Sequence, residues 1–224
     1  MSDNPSSKLP EIILASASPR RRQILSEMGL AFSVCPSQAE VSPDSSAEPA
    51  GFAVLNAETK AKDIAGKCSH GLIIAADTVV TDDCDILGKP ASKKEALEYL
   101  LRLGGKSHKV ISGVCLLNTA NGQIHSASCL STVIMRPFTA TEAQSYVESG
   151  LPMDKAGAYG IQDGEFNPVE KIDGCYLNIV GLPVCTLVRL LNKAGFNSKL
   201  ARSWQPEGDC SLCRIYRTEI SRLL

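Results

Sequence analysis

The sequence predicts a mixed α/β fold, a mixed sheet with flanking helices. Three observations carry that prediction. Short apolar runs such as Leu72 to Ala76 have the length of buried strands. Between them lie longer segments bounded by helix caps and glycine stops. The runs Lys109 to Leu117 and Ile124 to Met135 meet around Asn121-Gly122, the signal of a hairpin. Helices and strands intermix throughout with no internal repeat, which selects α/β or α+β with a mixed sheet.

The elements follow in order. Glu11 to Ala15 reads as a short buried strand. Ser18-Pro19 fits an N-cap with proline in the first helical position, opening a helix that runs to Met28 and stops at Gly29, with Ile24, Leu25 and Met28 facing inward. Ala31 to Cys35 is a second strand. Residues 36–50, rich in Ser, Pro and Ala, form a loop with one isolated acid, Glu40. Gly51 to Gly66 is helical, with Val54, Leu55, Ala61, Ile64 and Ala65 as packing positions. The strand Leu72 to Ala76 runs into Asp77-Thr78-Val79-Val80; Asp82, Asp83 and Asp85 mark a turn, and Ile86-Leu87 resumes a strand. Lys93 to Leu103 and Thr141 to Ser149 are helices on either side of the hairpin. A glycine-rich stretch spans Lys155 to Gly164, and Pro183 to Ala194 closes the fold with a helix bearing Val184, Leu187, Leu190 and Leu191. Residues 1–10 read as a loose N-terminal segment, 11–196 as one domain and 197–224 as a C-terminal extension of lower apolar density.

Composition narrows the function. The 224 residues carry 23 Lys plus Arg against 24 Asp plus Glu, a formal charge of −1, whereas a binder of a nucleic-acid polymer needs a cationic surplus. A small anionic ligand needs only a local cluster of cations. A chain this long buries roughly 70–75% of its unfolded surface and needs no disulfide staples. The nine Cys are odd in number, and most lie in apolar runs such as Val114-Cys115-Leu116. They read as reduced core residues, which points to a cytoplasmic protein. No secretory signal or membrane-length apolar run is present.

Four segments carry chemistry. Ser16-Ala17-Ser18-Pro19-Arg20-Arg21-Arg22 puts three Arg in the first turn of a helix, where the dipole disfavours cations. An anion bound among the helix N–H groups, the Ser hydroxyls and the guanidinium forks accounts for them; a solvated basic turn is the competing reading. Asp77 is embedded between Ile73-Ile74-Ala75-Ala76 and Val79-Val80. A carboxylate in such a strand pays a desolvation cost unless it is paired, metal-bound or at an edge, which makes it a candidate metal ligand or general base rather than the start of a turn. Ligands of open α/β sheets sit beyond the carboxyl ends of strands. Leu87-Gly88-Lys89-Pro90 offers a close backbone and a point charge for phosphate, although taken alone it reads better as a plain turn with a surface lysine. Asp154 to Gly164, with three Gly and two Ala, suits a loop wrapped closely around a ligand, and its Gln162 has the paired donor and acceptor to read a base edge. Lys60 and Lys62 lie on different faces of one helix; one of them could turn inward to a site, periodicity does not say which, and from these residues alone two surface lysines are the better reading.

Other chemistries are excluded. Gly105-Lys106-Ser107 lacks the P-loop glycine, since Leu100 stands there, and there is no G-x-G-x-x-G, His-Glu-x-x-His or nucleophile elbow. Cys210 and Cys213 have no second pair or nearby His for zinc and no strand–helix context for redox work.

In order, Leu14-Ala15-Ser16-Ala17-Ser18-Pro19-Arg20-Arg21, Lys60-Ala61, Ala76-Asp77-Thr78-Val79-Val80, Leu87-Gly88-Lys89-Pro90, Ser107-His108-Lys109-Val110, Met153 to Gln162, Ile172-Asp173-Gly174-Cys175-Tyr176 and Val180-Gly181-Leu182-Pro183 resemble the Maf family of nucleoside triphosphate pyrophosphatases. The match runs from Glu11 to Ala194. The resemblance implies two lobes around a central cleft, an architecture similar to inosine triphosphate pyrophosphatases. It implies hydrolysis of a nucleotide at the α–β phosphoanhydride to a monophosphate and pyrophosphate, with a divalent cation, Mg²⁺ or Mn²⁺. Asp77 matches the family's proton acceptor, while Arg20, Thr78 and Gln162 match positions tied to substrate choice and resemble the branch acting on dTTP and UTP. Ser16, Arg21, Lys60 and Lys89 match phosphate-site positions. Glu40 matches an acid near the metal, which Asp77 would share, leaving open whether Asp77 is base or ligand. A homodimer is implied as well.

The chain departs from the family pattern at Lys106 in place of Arg, Asn56 in place of an apolar residue and Ser131 in place of Thr. A nucleotide-binding regulator with little turnover is the alternative function; an RNA-binding module is disfavoured by the charge and by 5% aromatic content.

Overall fold

The computed structural model describes residues 10–42, 48–68, 70–82 and 85–196. The expectations for residues 1–9, for Asp83, and for the C-terminal extension with Cys210 and Cys213 lie outside the described residues.

Elements follow one another as β1 (Ile12–Leu14), α1 (Pro19–Glu27), β2 (Phe32–Val34), α2 (Pro49–Ala65), β3 (Leu72–Thr81), β4 (Ile86–Leu87), α3 (Lys93–Leu103), β5 (Ser107–Asn118), β6 (Ile124–Met135), α4 (Ala140–Glu148), two 3₁₀ turns (Leu151–Asp154 and Ala156–Ala158), β7 (Val169–Asp173), α5 (Tyr176–Val180) and α6 (Val184–Lys193). They build one mixed sheet in the order β2-β1-β3-β5-β6-β7, with β4 paired to β3. β2, β1 and β3 are parallel; β3, β5, β6 and β7 alternate in direction, and β4 runs antiparallel to β3. The mixed α/β expectation holds.

Strand period two sorts the side chains of β3 onto two faces. Leu72, Ile74 and Ala76 pack with β1, α1, α5 and α6, where Ile24, Leu25, Met28, Val184, Leu187, Leu190 and Leu191 lie buried as the periodicity required. Ile73 and Ala75 pack with Ala57, Ala61 and Ile64 of α2. Past residue 78 the partners change. Val80 joins a core made with α3 and α4, and Val79 joins Phe52, Ala53 and Ile111. The apolar core therefore comes in two halves along the long strands, and Asp77-Thr78 occupies the seam between them.

Several boundaries differ from expectation. The apolar run Leu72 to Ala76 is only the first half of a ten-residue strand that continues through Asp77 to Thr81, because Val79 and Val80 have their own core to enter. α2 starts at Pro49, two residues early, because the Glu48 carboxylate caps the N–H groups of Ala50 and Gly51. Its inward face is Phe52, Ala53, Asn56, Ala57, Lys60, Ala61 and Ile64; Leu55 is 46% exposed. Asn56 and Lys60 are polar residues on the buried stripe, which is why apolar periodicity misplaced that face. β7 and α5 were not expected: β7 carries the charged Glu170 and Lys171 at the sheet's edge, and α5 has five residues. At the β3–β4 turn, Arg102 of α3 bonds Asp82 at 2.7 Å and Asp85 at 2.7 Å.

Cys115 and Cys175 are buried within the core, and burial pushes the Cys115 thiol up to about 12. Among the described residues no helix is long and apolar enough to cross a membrane.

His108 is buried with its Nε2 2.7 Å from the Tyr159 hydroxyl, while its Nδ1 has no partner. Burial lowers its pKa to about 4. The unfolded chain takes up this proton near the ordinary value of about 6.5. Its contribution to stability is thus complete above that pH and is lost as pH falls toward 4, by about 3 kcal/mol at most. Urea unfolding of the wild type and His108→Gln between pH 7 and 4 checks this. The wild type should lose stability more steeply toward acid; parallel curves would remove His108 as the cause.

Candidate active site

β1 pairs with β3 only as far as Leu14 with Ile74, and β4 takes up the same edge of β3 at Val80. Among the described residues no strand pairs β3 between these points on that side. The opening is flanked by the loop leaving β1, with Ser16, and by the loop leaving β4, with Lys89. It lies beyond the carboxyl end of β1, the usual ligand position in such sheets, rather than beyond that of β3.

From the α2 face, Asp77 meets Lys60. The ammonium Nζ donates to Asp77 Oδ1 at 2.6 Å and to Glu40 Oε1 at 3.0 Å. Side-chain exposure is 9% for Lys60, 15% for Asp77 and 64% for Glu40, so the ion triad reaches from the interior to solvent. A buried ammonium persists only with such partners. The choice left open by the sequence is settled: Lys60 turns inward, and Lys62 is exposed and pairs with Glu58. The Glu40 carboxyl is held below its usual range, first by the hydrogen bond from Lys60 and then by the charges of Lys60, Lys89 and Arg21. Those charges bring Lys89 and Arg21 to the same opening; Lys89 itself is exposed.

From the α1 face, Ser18 caps the helix and Arg21 reaches back over the sheet. Its Nε donates to the Gly181 carbonyl at 2.8 Å, Nη1 to Ser16 Oγ at 3.1 Å and Nη2 to Thr78 Oγ1 at 3.2 Å. Thr78 Oγ1 lies 2.8 Å from Ser112 Oγ. The chain of bonds continues inward. Ser112 Oγ donates to the Asn178 carbonyl, and Asn178 Oδ1 accepts from Ser112 N at 3.1 Å. Asn178 Nδ2 donates to the Val110 carbonyl and to Ser131 Oγ, each at 2.9 Å. Ser131 Oγ donates to the Cys175 carbonyl at 3.1 Å and accepts from Cys175 N at 2.9 Å. Ser112, Ser131 and Asn178 are wholly buried, and a satisfied network of this kind holds its members rigidly.

Sequence reasoning missed Ser112 and Asn178 as supports of the site. The available signal was a polar residue inside apolar runs, Ile111-Ser112-Gly113-Val114 and Leu177-Asn178-Ile179. Ser131, a departure from the family pattern, supplies the hydroxyl that joins Asn178 to the Cys175 backbone.

Arg20 stands apart. It pairs with Asp154 at 3.4 Å on the exposed side of α1. Asp154 also pairs with Lys155 at 2.9 Å, and Lys155 with Asp163 at 3.5 Å. Tyr159 belongs to the core of α3 and α4, whereas Ile161 packs against that of α1 and α6. The glycine-rich segment thus crosses from one half of the core to the other, and Gln162 follows exposed at its end. Gly157 lies against Val80 with φ of +68°, a close approach that leaves no room for a side chain.

Two carboxylates and no third converge: among the described residues no group of three or more His, Cys, Asp or Glu is placed to hold a metal. A pair of hard oxygen donors suits an ion that completes its shell with water and substrate oxygens. Arg21 on one face of the sheet and the Lys60-bridged pair Glu40 and Asp77 on the other bring both signs of charge to one opening, an arrangement suited to a polyanion together with a cation.

A model of the Maf-like protein family matches residues 11–194, and the chain belongs to that family. A relative from Dehalococcoides mccartyi strain BAV1, named dTTP/UTP pyrophosphatase, is 77% identical over 223 residues, covering 100% of both chains. One from Geobacter sulfurreducens, of the same name, is 40% identical over 184 residues, covering 82% of this chain and 96% of its own. A Mycobacterium abscessus structure described as a nucleoside-triphosphatase, or dITP/XTP pyrophosphatase, overlaps 56% of this chain and 74% of its own. It does so at 13% identity and a TM-score of 0.35, which carries no argument.

The site depends on how closely α2 approaches β5. Gly113 faces Asp77 in the register, and a Cβ on Gly113 would lie 2.3 Å from the Ala53 carbonyl and 2.5 Å from Val54 N. Gly113→Ala should therefore lift α2 and cost about 1–3 kcal/mol or more. Gly164, with nothing within 4 Å, is the control: Gly164→Ala should stay within about 0.5 kcal/mol of wild type. Thermal unfolding compares the two, and equal stabilities would disprove the close approach.

Proposed function

We propose that this chain is a nucleoside triphosphate pyrophosphatase acting on dTTP and UTP, releasing the nucleoside monophosphate and pyrophosphate. The observation that carries the reading is the Glu40–Lys60–Asp77 ion triad facing Arg21 and Ser16 across the open edge of β3. The names of the relatives at 77% and 40% identity support the same reaction.

The triphosphate lies along the opening, its oxygens met by Arg21, Ser16, Lys89 and the N-terminal amides of α1. Water attacks the α-phosphorus. The new P–O bond forms as the bond to the bridging oxygen breaks, and pyrophosphate leaves with that electron pair. The proton of the attacking water passes to Asp77, whose Oδ1 is bonded to Lys60. Glu40 and Asp77 would hold a Mg²⁺ or Mn²⁺ ion, which supplies charge neutralisation at the phosphate oxygens and at the attacking water. Lys60 keeps the two carboxylates together by offsetting their repulsion. The Thr78 hydroxyl, bonded to Arg21, supports the phosphate side of the opening, and its expected part in substrate choice gains no contact beyond that bond. Gln162 presents an amide to the adjacent carbonyl and N–H of a pyrimidine. Arg20 holds the segment bearing Gln162 through Asp154. The buried Cys115 thiol supports a cytoplasmic location.

Pyrophosphate release across a panel of triphosphates with Mg²⁺ or Mn²⁺ tests the reading. The wild type should favour dTTP and UTP, and Asp77→Asn should lose about 10²–10⁴-fold in rate while still binding a non-hydrolysable analogue. Unchanged turnover in Asp77→Asn would overturn the assignment of the base. Binding without turnover in the wild type would make the chain a nucleotide-binding regulator. Gln162→Ala should lose about tenfold more on UTP and dTTP than on purine triphosphates, the cost of a lost hydrogen bond; equal losses would remove Gln162 from base reading.

A further inference from the structure

Glu40 is 64% exposed, on a loop without regular structure. Only the Glu40 end of its pair with Lys60 is open to water, and solvent there screens the attraction, so the pair is a weak anchor for the loop by itself. The loop is fixed elsewhere, by α2. Ser37 Oγ donates to Asp63 Oδ2 at 2.6 Å, Glu40 accepts from Lys60 at 3.0 Å, and Val41 N donates to Asn56 Oδ1 at 2.8 Å. Positions 56, 60 and 63 are spaced i, i+4 and i+7, one stripe of the helix. The loop runs antiparallel along that stripe, its residues 37, 40 and 41 meeting 63, 60 and 56.

Asn56 differs from the other two. It is 3% exposed, on an inward helix face that, Lys60 apart, is filled with Ala, Phe and Ile. A buried amide is costly unless bonded. Asn56 places its acceptor on the Val41 N–H and turns its donor to the Val41 carbonyl at 3.5 Å. It thus addresses backbone, not side chain, and Val41's own side chain remains 38% exposed. The bond falls on the residue directly after Glu40, one helical turn before Lys60.

We propose that Asn56 is a positioning residue for Glu40: its side-chain amide holds the Val41 backbone so that the Glu40 carboxylate stays beside Lys60 and Asp77. The proposal rests on the reading above that Glu40 and Asp77 take the divalent cation. Lys60 supplies the charge partner of Glu40, and Asn56 supplies the fixed backbone from which Glu40 reaches it.

The experiment uses the full chain as wild type, Asn56→Leu, Asn56→Asp, Glu40→Gln and the double variant Asn56→Leu/Glu40→Gln. Amide hydrogen exchange over residues 38–42 is measured without metal or nucleotide. The Mn²⁺ concentration giving half-maximal pyrophosphate release is measured separately. Asn56→Leu should speed exchange over 38–42 about tenfold and raise the Mn²⁺ requirement by a similar factor, the effect of losing one hydrogen bond. Asn56→Asp keeps an acceptor for the Val41 N–H and should restore slow exchange. The double variant should need no more Mn²⁺ than Glu40→Gln alone, because Asn56 acts through Glu40. Unchanged exchange in Asn56→Leu, or effects on Mn²⁺ that multiply in the double variant, would overturn the proposal. If Glu40→Gln leaves the Mn²⁺ requirement unchanged, the cation reading of Glu40 falls, while exchange still decides whether Asn56 holds the loop. Should Asn56→Leu fail to fold, Asn56→Ala takes its place with the same outcomes.

Discussion

The ion pair between Lys60 and Asp77 is the constraint around which the rest is arranged. Both groups lie largely out of water, and neither charge is tolerable there alone. Their 2.6 Å separation demands that a helix side chain reach a strand in the middle of a sheet. That is feasible only where helix and sheet approach closely. The chain meets the demand with small residues: Ala53, Ala57 and Ala61 line the inner face of α2, and Gly113 of β5 leaves room for the Ala53 backbone. A larger side chain at these contacts would fill space in the core and separate the two charges.

Asp77 and Thr78 are neighbours in sequence yet face opposite sides of β3. One side chain addresses α2 and the other addresses α1. Both border the stretch of the β3 edge between β1 and β4 that no strand pairs among the described residues, where the two sides of the sheet meet. The two supports differ in kind. On the α2 face, charge holds charge. On the α1 face, Arg21 is held through neutral groups, Thr78 and then the buried bonds among Ser112, Asn178 and Ser131. A guanidinium occupied by a carbonyl and two hydroxyls keeps its positive charge uncompensated by a direct carboxylate partner, and so keeps it available to an anion. The −1 net charge of the chain conceals this separation of charge at the opening.

The fold was legible in outline because its signals are local. Apolar runs marked β1 and the first half of β3, caps and glycines bounded α1, and Asn121-Gly122 marked the β5–β6 hairpin. Errors arose where a residue served the site instead of the local pattern. Asn56 and Lys60 put polar atoms on the buried stripe of α2, so Leu55 was assigned inward and points to solvent. Asp77 broke the apolar run of β3 and made one strand look finished. β7 carries charge along a sheet edge, where no apolar alternation is needed.

By itself the sequence determined that the protein is mixed α/β, that the cations relevant to a small anionic ligand are few and locally placed, and that Ser16, Arg20, Arg21, Glu40, Lys60, Asp77, Thr78, Lys89 and Gln162 are the candidate site residues. Ordered motifs along the chain also identified the family. The tertiary structure alone decided which of Lys60 and Lys62 turns inward, that Arg20 pairs with Asp154 while Arg21 spans Ser16, Thr78 and Gly181, and that Ser112 and Asn178 are bonded behind Thr78 while Asn56 bonds the Val41 backbone. The physical reason is distance along the chain. Helix and strand periodicity act over a few residues, whereas Glu40, Lys60 and Asp77 are 17 to 37 residues apart, and Arg21 and Gly181 lie 160 apart. Only the packing of α1 and α2 on either side of β3 brings such groups within reach of a hydrogen bond.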